Sequence, residues 1–320
     1  MKKVNNYTPL SAPVSVTEQV WTDDIMPVVS VFNWVYNHKE YIRESIESIL
    51  MQQTTFPIEI IIHDDASNDG TKEIILEYQE KYPRLFRNIL QEENQWSQGK
   101  SVMAPLITAP RGNYIALTHG DDYWTDPLKL QKQVDFLEEN PTYTICWTDY
   151  NELGNNILSN PDWNSHLSNL NFFEVNLKNF SYPYCTLTLT TLFRASCITS
   201  LPINKMRHFK DNTLYIACLS EGKGALLKFK SAIYRIHDTS IYSSSSSLTK
   251  AISNFFNITE IIFFFPLARN KHFKFLFHHF QQTIKSQINT TVYFHLLLQI
   301  LKITVNAKAP KALIFLLSKK

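Results

Sequence analysis

Two carboxylates close the run Tyr114-Ile115-Ala116-Leu117-Thr118-His119-Gly120-Asp121-Asp122-Tyr123-Trp124, where an apolar strand gives way to Gly120 and then to acid. In open α/β sheets, ligands sit in the crevice beyond the carboxyl ends of the strands, so paired acids here are placed to do chemistry. Hard oxygen ligands suit Mg²⁺ or Mn²⁺, ions that keep several waters and complete their shell with substrate phosphates. The expectation is a diphosphate-bearing substrate. Strand-end acids also serve as turn residues and helix caps, so the pair needs company before it carries weight.

A second acidic strand end supplies it. The β-branched run Ile58-Glu59-Ile60-Ile61-Ile62 feeds into His63-Asp64-Asp65-Ala66-Ser67-Asn68-Asp69-Gly70-Thr71. So continuous a run reads as a buried parallel strand. Asp69-Gly70 is a turn signal, and Thr71 is placed to cap a helix beginning at Lys72. One carboxylate of Asp64-Asp65 is expected to make the turn. The other is free to accept from a base N–H or a ribose hydroxyl.

Holding such acids together takes a sheet. Residues 28–37 form a further apolar strand with a polar end, and the helix after it carries Ile42, Ile46, Ile49 and Leu50 on one face. Strands alternating with helices predict a parallel, doubly wound α/β sheet. Asp126-Pro127 opens another helix, running through Leu128, Leu130, Val134 and Leu137 to a stop at Asn140-Pro141. Asp126 is therefore read as a cap and not as part of a site.

Tyr36-Asn37 after the first strand, the turn from Asp64 to Thr71, and Gly120-Asp121-Asp122, in this order, resemble the nucleotide-sugar domain of inverting family 2 glycosyltransferases. The resemblance covers about residues 26–240. It implies a GT-A fold: a Rossmann-like, mostly parallel sheet flanked by helices, with a helical extension behind it. It further implies that Tyr36 lines the base pocket and that Asp65 contacts the uracil or ribose. Asp121 and Asp122 would hold ribose and metal-diphosphate, with Asp122 the metal ligand and Mn²⁺ or Mg²⁺ the cofactor. Asp211, before an apolar helix and followed by Glu221-Gly222 and a strand over 225–236, matches the general base, although capping explains an acid there equally simply. Tyr234-Arg235-Ile236-His237 is similar to a segment that closes over the diphosphate, making His237 a diphosphate or metal contact and Arg235 a residue paired within the fold. Lys100, in the polar stretch 94–100, is a candidate phosphate cation. One departure stands out: family members carry Pro-Thr where this chain has Trp34-Val35.

On the acceptor side, residues 186–194 alternate like a half-buried strand, and Trp147, Asp149 and Trp163 are side chains able to meet a sugar. For the two tryptophans, a place in the core is the simpler reading.

Composition bounds the rest. The chain has 320 residues with 44% hydrophobic and 13% aromatic content, which excludes a mostly disordered protein. All 29 acids lie at or before Glu260, while nine of the 31 Lys and Arg follow it, so residues 1–260 carry net −7 and residues 261–320 net +9. That basic, aromatic-rich end reads as helices, either on an anionic membrane surface or docked on the catalytic domain. No stretch in it reaches the roughly 18 apolar residues of a membrane span. No nucleic-acid recognition motif accompanies the charge. The four cysteines lack metal spacing and read as reduced thiols, and residues 1–25 are too polar for a signal peptide. The expected organisation is a loose lead-in over 1–25, the GT-A domain over 26–240 and a helical region over 241–320. The Ser-rich patch at 243–247 reads as a hinge or lid.

The expected activity is transfer of a hexose or N-acetylhexosamine from a nucleotide-sugar, a UDP-sugar foremost. The expected acceptor is a glycan or a lipid-linked acceptor in bacterial surface polysaccharide synthesis, at the cytoplasmic face of the membrane. Two rivals are a non-catalytic nucleotide-sugar or glycan binding module and a nucleotidyltransferase-like enzyme. Against the second, only seven glycines are present and none forms a phosphate-cradling loop.

Overall fold

The computed structural model describes residues 7–154, 157–159, 171–180, 187–199, 201, 206, 208–237 and 247–268. The strands are β1 (Val14–Ser15), β2 (Val29–Val35), β3 (Gln53–Thr54), β4 (Ile58–Asp64), β5 (Ile89–Leu90), β6 (Tyr114–His119), β7 (Tyr123–Trp124), β8 (Tyr143–Gly154), β9 (Ile157–Ser159), β10 (Phe172–Val175), β11 (Leu192–Arg194) and β12 (Lys223–Ile236). The α-helices are α1 (Ile42–Leu50), α2 (Thr71–Lys81), α3 (Pro105–Thr108), α4 (Lys129–Glu139), α5 (Asp211–Glu221) and α6 (Ser247–Phe264).

One ten-stranded sheet organises the molecule, in the order β10-β12-β8-β11-β6-β2-β4-β5, with β7 on β12 and β9 on β8. The expected parallel pairing holds through β6, β2, β4 and β5. Beyond β6 the sheet is mixed. The three-residue β11 inserts antiparallel between β6 and β8, β12 then runs parallel to β8, and β10 runs antiparallel to β12. The alternating run at 187–194 is thus not one strand: residues 188–190 form a 3₁₀ turn and only Leu192–Arg194 joins the sheet. Hydroxyls of Thr190 and Thr191 both donate to the Leu187 carbonyl, an interaction that competes with the ladder.

Strand periodicity divides the core between the two faces. Val29, Val31 and Val35 of β2, with Ile58, Ile60 and Ile62 of β4, join one cluster with Ile42, Ile46 and Ile49 of α1. Phe32, Trp34, Ile61, Ile115 and Leu117 join the other, with Leu214, Ile216 and Ala217 of α5. Each such side chain contributes about 1.5–3 kcal/mol through burial. With both faces covered, the strands need no polar alternation, which is why they read as continuous apolar runs.

The lead-in is tied down from residue 7: β1 pairs with β3, Val16 is buried, and the Gln19 amide donates to the carbonyls of Val14 and Thr54. At the other end, α6 docks on the domain. Asn257 donates to the Thr213 hydroxyl and the His208 carbonyl, and Lys210 donates to Asn254. Most of the basic end, residues 269–320, lies outside the described residues, as does most of the Ser-rich patch. No helix among the described residues is long and apolar enough to cross a membrane.

Candidate active site

β6 delivers the acidic pair. Gly120 follows it because a Cβ there would lie 2.7 Å from His38 Nδ1 and 2.9 Å from Val35 Cγ2. The bare backbone lets His38, just past the end of β2, pack against the turn. Asp121 then presents Oδ2 to His237 Nε2 at 3.1 Å and to His38 Nε2 at 3.8 Å. Asp122 points inward and is 1% exposed. Its Oδ1 accepts the Arg235 backbone N–H at 2.9 Å, and its Oδ2 lies 3.8 Å from His119 Nδ1. The accessible carboxylate of the two is Asp121, and His237 meets Asp121.

Burial and pairing drive the two acids apart. Burial works to raise Asp121, but the hydrogen bond from His237 and the charges of His38 and His119 outweigh it, holding the carboxyl well below the usual range. Burial first, then the neighbouring Asp121 charge, pushes Asp122 up to about 6. His237 is raised chiefly by its hydrogen bond to Asp121. His119 is lowered by burial but raised on balance by its pairing with Asp122 and by the charges of Asp121, Asp122 and Asp211. Burial lowers His38. The arrangement holds Asp121 in its charged form far more firmly than Asp122, beside the imidazoles of His237 and His38.

At the end of β4 the two aspartates also divide their work. Asp64 makes the turn, accepting from the Ser67 N–H and hydroxyl. Asp65 is 5% exposed, and its oxygens accept the backbone N–H groups of Gln95 at 2.7 Å and Trp96 at 3.1 Å. It thereby anchors the 94–100 loop over the strand ends, where Trp34 Nε1 donates to the Val102 carbonyl. Lys100 is exposed on this loop, and Tyr36 is half-buried beside Asn37, whose φ of 54° is left-handed. The helix α2 begins at Thr71 rather than Lys72. Its N-cap position is Gly70, at a left-handed φ of 100°, and Asp69 before it accepts the Thr71 N–H and hydroxyl as well as the Lys39 N–H.

Asp211 opens α5 with its side chain exposed, and its Oδ2 accepts the Thr188 hydroxyl at 2.9 Å. At the start of the helix, the Thr213 hydroxyl accepts the Lys210 N–H. Asp211 lies within electrostatic reach of His119. Asp126 is not the N-cap expected of it: the helix begins at Lys129 with Leu128 at the N-cap position, and Asp126 stabilises the turn before it, accepting the Leu128 N–H at 2.9 Å and pairing with Lys132. Trp147 is fully buried against Phe180 and Tyr215 and belongs to the core. Asp149 is half-buried and accepts the Tyr150 N–H, and Trp163 lies outside the described residues.

Sequence reasoning passed over His38 and His119. The signal was present: His38, His119 and His237 each end a strand or follow one within three residues. β2 and β6 are neighbours in the sheet, and β7, directly after Asp122, pairs with β12 and brings the end of that strand to them.

A parallel β-α-β half-sheet with an acidic pair at the carboxyl end of β6, one acid accessible and one buried, has the arrangement of a GT-A domain. The model of glycosyl transferase family 2 matches residues 30–199, more than half of the chain, and the chain belongs to that family. The putative glycosyltransferase EpsE of Bacillus subtilis is 30% identical over 71% of this chain and 79% of its own length. WfaP of Escherichia coli, a UDP-Glc:alpha-D-GlcNAc-diphosphoundecaprenol beta-1,3-glucosyltransferase, is 26% identical over 68% of this chain and 80% of its own. Uncharacterized mycobacterial proteins, among them Rv1520 of Mycobacterium tuberculosis, are 48% identical over 37% of this chain, a match spanning only 34% of their length. Among solved structures, S. aureus TarS 1–349 in complex with UDP-GlcNAc superposes with a TM-score of 0.59 at 19% identity, over 78% of this chain and 70% of that one. A Pyrobaculum calidifontis mannosyltransferase in complex with GDP-Man and Mn²⁺ gives 0.52 at 15% identity, over 99% and 83%.

Proposed function

We propose that this chain transfers a hexose or N-acetylhexosamine from a nucleotide-diphosphate sugar, a UDP-sugar foremost, to a glycan or lipid-linked acceptor with inversion. The observation that carries the reading is the Asp121 carboxylate at the end of β6, which meets His237 at 3.1 Å and His38 at 3.8 Å, with Asp211 within electrostatic reach of the adjoining His119. WfaP, which uses UDP-Glc and a lipid-diphosphate acceptor by its name, supports the donor class and the acceptor class alike. A role in surface polysaccharide synthesis, at the cytoplasmic membrane face, follows from an acceptor of that kind.

A metal fits the donor set. Among the described residues no group of three His, Cys, Asp or Glu forms a cage. Mg²⁺ and Mn²⁺ do not need one where substrate phosphates supply the remaining ligands. The Asp121 carboxylate and the His237 imidazole would hold such an ion, which when bound neutralises charge developing on the leaving diphosphate. Asp122, the ligand that the family resemblance implied, is buried and turned inward, so it acts behind them, fixing the backbone at Arg235. Asp65 acts on the nucleoside through the loop it anchors, with Tyr36 and Lys100 flanking that pocket.

Asp211 takes the proton of the acceptor hydroxyl as its oxygen attacks the anomeric carbon. The bond from that carbon to the diphosphate oxygen breaks on the opposite face. A single displacement of this kind inverts the centre.

Calorimetric titration with UDP, dTDP and GDP, each with and without Mn²⁺, tests the donor site. Binding of one diphosphate that requires metal is expected. No binding to any of them sinks the reading.

A further inference from the structure

Arg235 touches both acids of this site and the segments that flank them. Its backbone N–H donates to Asp122 Oδ1 at 2.9 Å, and its Nη1 donates to the Asp121 carbonyl at 2.9 Å. Its Nη2 pairs with Glu44 in the first turn of α1. The guanidinium carbon lies 5.1 Å from the Tyr41 ring centre and 4.6 Å from that of Tyr123. Planar stacking with directed N–H donation is what distinguishes arginine from lysine. One side chain therefore joins three pieces of chain: the start of α1, the 121–124 turn and the end of β12.

The side chain is 11% exposed, with Nη1 and Nη2 both engaged, so its charge is aimed at protein and not at the crevice. His237 lies two residues on, past the last β12–β8 register pair, Ile236 with Gly154. Beyond that pair, the Tyr41 ring at 4.9 Å and the Asp121 carboxylate at 3.1 Å meet its imidazole. Both of these belong to segments that Arg235 clasps.

We infer that Arg235, pinned by Glu44 and sandwiched by Tyr41 and Tyr123, is a positioning residue that sets the aim of Asp121 and His237 at the metal-diphosphate. It does not bind phosphate itself. The inference rests on the donor-site reading above. Glu44 is the informative partner because it is 54% exposed and touches neither acid.

The test is Mn²⁺ binding to the full chain in the presence of UDP, read by electron paramagnetic resonance, for wild type, Arg235→Lys and Glu44→Gln. Arg235→Lys is expected to weaken Mn²⁺ binding about tenfold, as for loss of one charge-assisted hydrogen bond, and Glu44→Gln about threefold. Glu44→Gln should keep the wild-type thermal midpoint, which separates aim from folding. Wild-type Mn²⁺ affinity in both variants overturns the inference. Tighter UDP binding by Glu44→Gln overturns it too, since a released guanidinium would then be reaching phosphate. A wild-type protein that binds no Mn²⁺ with UDP removes the donor-site reading and the inference with it.

Discussion

Buried acid is used differently at the two ends of the same strands. At the amino ends, Glu59 is 1% exposed, and its Oε2 meets Arg87 Nη1 at 3.0 Å and Arg111 Nε at 2.8 Å. Its Oε1 accepts the Ser30 hydroxyl and the Arg111 backbone N–H. At the carboxyl ends, the partners of Asp121 and Asp122 are imidazoles and one backbone N–H. A guanidinium keeps its charge throughout the physiological range and locks a carboxylate in place. An imidazole titrates within that range and offers a nitrogen to metal. A carboxylate held by arginines is committed to the fold, whereas one held by histidines can exchange partners for a ligand.

The largest expected effect lies outside both pairs. Asp211→Asn should lower turnover by about 10²- to 10⁴-fold, as for loss of a general base. It should leave metal-dependent UDP binding unchanged, and loss of that binding would return Asp211 to a structural role. Next, Asp121→Asn is expected to weaken metal-dependent UDP binding by upwards of about 100-fold, while Glu59→Gln leaves it alone. Altered UDP affinity in Glu59→Gln would break the contrast between the two ends.

Stability should divide the other way. Glu59→Gln should cost about 2 kcal/mol in urea unfolding. The two arginines are 44% and 43% exposed, so the cost falls below that of a fully buried pair. The pH dependence sharpens this. His237 is raised above its ordinary value by Asp121, so its contribution is complete below about pH 6.5 and is lost as pH rises through the higher folded value. The stability cost of Asp121→Asn should accordingly be larger near pH 6 than near pH 9, whereas the cost of Glu59→Gln stays level. A pH-independent cost for Asp121→Asn would mean that the imidazoles do not hold it. Smallest of all, Asp126→Ala should cost about 1 kcal/mol as a lost turn hydrogen bond and change neither binding nor turnover.

Much of the parallel half was legible in the chain. The apolar runs that became β2, β4 and β6 are buried on both faces, and such strands announce themselves without any knowledge of their neighbours. Asp126 was readable as a local structural acid because its partner N–H lies two residues on, although the helix it was expected to cap begins only at Lys129. The mixed half was not legible. β11 is three residues long and owes its place to β6 and β8, not to its own alternation.

The division within the site has the same cause. Acid types, their place at strand ends and the class of chemistry they suit follow from local sequence, because strand, turn and helix signals act over a few residues. Adjacent carboxylates are chemically identical until something distant contacts them. Arg235 and His119 turn Asp122 inward, and His237, more than a hundred residues along, meets Asp121. Asp65 likewise spends its oxygens on a loop 30 residues away. Only the tertiary pairing of strands distant in the chain decides which groups arrive, and with them which carboxylate is turned inward and which is left accessible.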